Sequence, residues 1–118
     1  MLGQRLEYSP FDQSDLTMVY HGIRIPKQKI AAFCQRHGIR RLALFGSILR
    51  DDFGPDSDID VLVVFDPGAR VGLFGLMNLQ SKLTNLFGRK VDLNTPGFLG
   101  DRFREQVLRE AEDQYVAA

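Results

Sequence analysis

Asp58 and Asp60 stand two positions apart where the chain enters an apolar run, Val61-Leu-Val-Val-Phe65. Side chains alternate along a strand, so this spacing sends both carboxylates to one face, a few ångströms apart. Two acids that close repel one another and resist ionising unless a cation lies between them. Further on, in Val91-Asp92-Leu93-Asn94, Asp92 and Asn94 point one way and two apolar side chains the other. If these strands are neighbours, three carboxylates converge. Oxygen ligands without a nearby histidine or thiolate favour Mg2+ or Mn2+ over zinc, and Mg2+ is usually held by a few carboxylates together with substrate phosphates. That chemistry needs a phosphate cradle, and Gly46-Ser47 is placed to be one. A glycine directly after a buried strand lets the backbone approach a ligand, and the Ser47 hydroxyl with the following N–H groups then faces it.

The remaining reactive residue types have plainer readings. Asp51, Asp52 and Asp56 suit a solvated loop, because aspartate forms Asx-turns. Cys34 and His37 fall on one helix as a core residue and a cap-proximal residue, and Arg36, Arg40 and Arg41 read as a solvated edge. Asp58 and Asp60 have no basic residue beside them in sequence to neutralise a paired acid. The run from Asp56 to Asp60 imitates the start of a calcium loop. Such a loop requires glycine at its sixth position and glutamate at its twelfth, where this chain has Val61 and Pro67, so an EF-hand is excluded.

These side chains need a scaffold. With 44% hydrophobic residues in 118, the chain suits one compact domain. Fifteen basic and fifteen acidic residues cancel, so no overall field draws in nucleic acid or an anionic membrane, and no run is long and apolar enough for a membrane span. With one cysteine and no signal-like start, the expectation is a soluble cytoplasmic protein. Residues 1–22 show no period and are expected to form a loose arm or an edge strand, ahead of a domain at 23–118. The spacing predicts a helix from Pro26 to a cap at Gly38, then a strand at 41–45. A central strand at 59–65 should be covered on both faces, since apolar residues fill both of its sides. A helix follows whose stripe is Leu73, Leu76, Met77, Leu79, Leu83, Leu86 and Phe87, then a strand at 90–94 and a final helix at 101–112. The order implies an α/β sheet with helices packed against it.

The combination GSILRDDFGPDSDIDVLVVF, with VDLNTP downstream, resembles the minimal nucleotidyltransferase family of the DNA polymerase β-like superfamily. That family is marked by a Gly-Ser turn, an Asp-x-Asp pair on a strand about ten residues later and a third acid on a later strand. The resemblance covers residues 26–112, including FREQVLREAE as the family's closing helix. It implies the nucleotidyltransferase fold, a small mixed sheet of the α/β (α+β) kind. It also implies transfer of AMP from ATP to a hydroxyl with release of pyrophosphate. Asp58, Asp60 and Asp92 would hold two Mg2+ ions, Mn2+ being an alternative, with Asp92 also taking the proton. Gly46, Ser47 and Arg50 would meet the nucleoside triphosphate. The common family loop reads Gly-Ser-Arg-Ala-Arg-Gly-Asp; here Ile48 and Asp51 depart from it while Arg50 and Asp52 keep their places. Loss of the first arginine is expected to weaken the grip on the triphosphate. Proteins of this kind are antitoxins that silence a HEPN-domain RNase toxin by adding AMP to one of its tyrosines, and that toxin is the partner the resemblance implies, in an oligomer with it. The alternatives are an antibiotic-type nucleotidyltransferase acting on a small molecule and an antitoxin that works by binding alone.

Overall fold

A computed structural model describes residues 4–8 and 16–118. Three strands open the chain, β1 (Gln4–Tyr8), β2 (Leu16–Tyr20) and β3 (Ile23–Pro26), in an antiparallel sheet of order β1-β2-β3. The β2–β3 hairpin turns on His21-Gly22, with φ of 52° and 78°, and Tyr20 pairs with Ile23 across it. Two consecutive positive φ values are what a tight hairpin turn needs to match the twist of its strands. The front end expected to be a loose arm or an edge strand thus supplies two strands, β1 and β2, and Val19 and Tyr20 are buried.

Helix α1 (Lys27–His37) runs to Gly38, and β4 (Ile39–Phe45) follows. A 3-10 turn (Gly46–Leu49) and an acidic loop lead to β5 (Ile59–Phe65). Helix α2 (Leu73–Phe87) crosses to β6 (Val91–Asn94), and α3 (Asp101–Glu110) leads to β7 (Glu112–Val116). The second sheet is mixed, with order β6-β5-β4-β7. Strands β5 and β6 are parallel, the pairing that requires a crossover such as α2, and the other pairs are antiparallel.

Strand β5 is interior and buried on both faces, as its sequence implies. Ile59, Val61 and Val63 face α1 and α2 in one core with Ile30, Phe33 and Leu83, while Leu62 faces the other way with Phe45, Leu99 and Val107 of α3. Burying each such side chain stabilises the fold by roughly 1.5–3 kcal/mol before its ordering entropy is subtracted.

Two expectations need correction. Of the α2 stripe only Leu79, Leu83 and Phe87 are buried, whereas Leu73 and Met77, in the first turns of the helix, are exposed. The final helix stops at Glu110, and Glu112 begins β7, where pairing with β4 replaces the helical bonds that local pattern favoured. Among the described residues, no helix is long and apolar enough to cross a membrane.

Candidate active site

Strand β4 delivers the chain to Gly46 beside β5, where Phe45 pairs with Asp60. Gly46 has φ of 77°, and a Cβ built on it would collide with the Asp60 carboxylate. Only glycine lets the turn lie against the acid. The turn is closed by the Arg50 N–H donating to the Ser47 carbonyl at 2.9 Å. Ile48, the position where the family loop carries arginine, is 1% exposed and packed in the main core. The side chain at 48 therefore faces inward and belongs to the packing.

Asp60 and Asp92 sit side by side in the parallel β5–β6 register, on the α3 side of the sheet. Asp60 is half-buried, and its carboxyl is pushed up to about 6 by burial first, then by the Asp92 and Asp58 charges, with Arg50 opposing and a hydrogen bond shared with Asp92 adding to the rise. Asp92 is exposed. Asp58 lies just before β5 and has a basic neighbour that the local sequence reading missed, Lys90, whose Nζ is 3.8 Å from Oδ2. At that separation and exposure the pair is weak. The arrangement is a close pair with a third acid at its side. Among the described residues, no three acidic, histidine or cysteine side chains gather tightly enough to enclose a metal by themselves.

The donor set nonetheless fits a hard divalent cation. Two adjacent carboxyls present the unbalanced negative charge that such an ion relieves, and an open set of a few oxygens leaves positions for water and phosphate.

A cavity of about 140 Å³ opens beside the acids, lined by Phe45, Gly46, Arg50 and Asp60 and, from α3, by Phe103, Gln106 and Glu110. Sequence reasoning did not foresee the α3 wall. The available signal was Phe103, an aromatic that stays 52% exposed and meets Phe45 edge-on at 6.3 Å. Arg50 is itself exposed and pairs with Asp52 at 3.4 Å. Larger grooves lie between α1 and α2 and between β3 and the end of α2, so charge and not volume marks this site.

The acidic loop is tied down rather than loose. The Gly54 N–H donates to Ser57 Oγ at 3.0 Å, and Arg89 donates to the carbonyls of Gly54 and Ser57. The Arg89 guanidinium also lies 4.7 Å over the Phe53 ring, which stacks on His21 at 5.0 Å and packs against the main core. Asp51, Asp52 and Asp56 are exposed loop residues, Cys34 is buried with its thiol pushed up to about 12 by burial, and His37 packs on Phe33.

The family model for the nucleotidyltransferase domain matches residues 27–113. The chain belongs to that family. This nucleotidyltransferase is 34% identical over 87 residues to a candidate protein adenylyltransferase of Methanocaldococcus jannaschii, covering 74% of this chain and 91% of the relative. It is 36% identical over 76 residues to the protein adenylyltransferase MntA of Thermococcus cleftensis, covering 64% and 75%. Among solved structures, a candidate minimal nucleotidyltransferase superposes with a TM-score of 0.61 at 40% identity, over 73% of this chain and 86% of that one. The nucleotidyltransferase fold is also shared with the complex of a tri-AMPylated Shewanella oneidensis HEPN toxin with its MNT antitoxin, at a TM-score of 0.57 and 20% identity over 77% and 70% of the two chains.

Proposed function

We propose that this nucleotidyltransferase transfers AMP from ATP to a tyrosine hydroxyl of a HEPN-type toxin and thereby silences it. The observation that carries the reading is the Asp60–Asp92 pair held against a glycine turn, in a chain related to protein adenylyltransferases. Fold neighbours captured with an AMPylated HEPN toxin and with AMP-PNP support the partner and the nucleotide.

In this proposal Asp58, Asp60 and Asp92 hold two Mg2+ ions, with Mn2+ as a substitute. Bound there, the cations neutralise phosphate charge and lower the pKa of the attacking hydroxyl. The protein's own groups position and exclude. The Gly46 backbone and Ser47 hydroxyl contact the β- and γ-phosphates, and Arg50 adds positive charge from the cavity wall. The tyrosine oxygen attacks the α-phosphorus, the bond to the β-phosphate oxygen breaks, and pyrophosphate leaves. Asp92, exposed at the strand end, accepts the tyrosine proton. Little covalent chemistry falls to the protein in such a transfer, and rate comes from placement and charge. A reaction that consumes ATP and meets a newly made toxin belongs in the cytoplasm.

The test is intact-mass spectrometry of the neighbouring gene's product, co-expressed with the wild type or with the Asp58→Asn, Asp60→Asn double variant. AMP adducts with the wild type alone are expected. A stable complex without added mass in either case would replace the reading with neutralisation by binding.

A further inference from the structure

We propose that the groove between α1 and α2 docks an acidic amphipathic helix of a partner protein. Both helices pack on the sheet face that carries Leu42, Leu44, Ile59 and Val61, the face away from Asp60 and Asp92. The groove is about 530 Å³, with Lys29, Arg36, His37 and Lys82 on its walls and Ala32 and Leu86 on its floor. None of its lining residues is acidic. An adjoining groove of about 630 Å³ shares Lys29 and Leu86, continues to Arg89, and is likewise lined without an acid.

In a chain with fifteen cations and fifteen acids, this segregation is a local field that net charge conceals. His37 reports the same potential: burial first, then the Lys82 and Arg36 charges, hold its imidazole below the usual range.

The apolar floor selects the kind of polyanion. Single-stranded nucleic acid binds basic grooves by stacking its bases on open aromatic faces. Here Phe33 and Phe87 are 5% and 7% exposed, and the His37 ring already rests on Phe33 at 4.6 Å. A helix with an apolar ridge flanked by carboxylates satisfies both features, the ridge on Ala32 and Leu86 and the acids on the cationic walls. The inference stands on this groove and not on AMP transfer.

The probe is a synthetic helical peptide with leucines at i, i+4 and i+7 and glutamates on its flanks, titrated into the isotope-labelled full chain. Amide shifts confined to α1, α2 and the turn after α2 are expected. Affinity should fall by about tenfold or more on charge reversal at Lys29→Glu, Arg36→Glu and Lys82→Glu together, and similarly when the peptide carries glutamine for glutamate. ATP binding by the same variant should be unchanged. All three side chains are exposed, and if reversal impairs folding the corresponding glutamine variants serve. Equal affinity for the glutamate and glutamine peptides would overturn the proposal, as would shifts centred elsewhere or tighter binding of an oligothymidylate in the groove.

Discussion

Asp60 is the residue on which geometry and charge press hardest. Burial and two acidic neighbours raise its carboxyl from 3.8 to about 6, so the folded chain holds this proton more tightly than the unfolded chain does. Stability of the metal-free protein therefore falls as pH rises from about 4 through about 6, and the loss is complete above that window. Asp60→Asn removes the ionisation. In a chelator at pH 7 its thermal midpoint is expected to lie above that of the wild type, and the two should meet below about pH 4. The carboxyl is half-buried, so solvent screening keeps the gain modest. Activity should move the opposite way, down by more than about 100-fold, since loss of mere outer-shell partners already costs 10–100-fold. A variant that is both inactive and destabilised at pH 7 would mean that Asp60 serves the fold. Gly46→Ala tests the neighbouring contact. Its methyl meets the Asp60 carboxylate at a positive φ, and a cost of roughly 1–3 kcal/mol in chemical denaturation is expected together with loss of transfer.

At the level of elements, the acidic loop owes its shape to Arg89, at the turn between α2 and β6. Its guanidinium lies on Phe53 and caps the carbonyls of Gly54 and Ser57, the latter immediately before Asp58. Arg89→Ala should release residues 53–58, seen as faster amide exchange there, and lower kcat by roughly 10–100-fold, the effect typical of a residue that orients a ligand-bearing group. Lysine cannot reproduce a planar fork over a ring, so Arg89→Lys should rescue little. Unchanged exchange in Arg89→Ala would show that the loop's own Gly54–Ser57 bonds suffice.

Across the whole molecule, the last strand is clasped to β2 and β4. Tyr20 of β2 donates to Glu112 at 2.7 Å, and Gln114 of β7 donates to Tyr20 at 3.1 Å, while Arg41 of β4 pairs with Asp113 at 2.6 Å. Burial first, and then the Glu112 bond, raises the Tyr20 hydroxyl above its usual range, so it stays a neutral donor. Tyr20→Phe leaves Glu112 and the buried Gln114 amide short of a partner and should cost roughly 1–3 kcal/mol in denaturant unfolding. The fully buried Cys34 thiol, pushed up to about 12, should react with a thiol reagent only as fast as the chain opens.

Local periodicity was enough for α1, β4, β5, α2 and β6, because each carries its own repeat and its own stop. The placement of Asp60 and Asp92 on strands was equally legible, since strand alternation places side chains without knowledge of the rest of the chain, whereas their side-by-side register waited on β5 and β6 being neighbours. Tertiary structure decided what depends on distant partners. The helical pattern of FREQVLREAE runs on through Glu112, yet the chain leaves α3 at Ala111 because β4 offers an unpaired edge. Strand β2 shows no clean alternation because its pairing with β1 and β3 organises it. Ile48 looked like a missing charge and is a core residue, Lys90 reaches Asp58, and α3 walls the cavity. Apart from the β2–β3 hairpin, whose strands are sequence neighbours, the deciding energy is a contact between segments far apart in the chain, and no local pattern records such a contact.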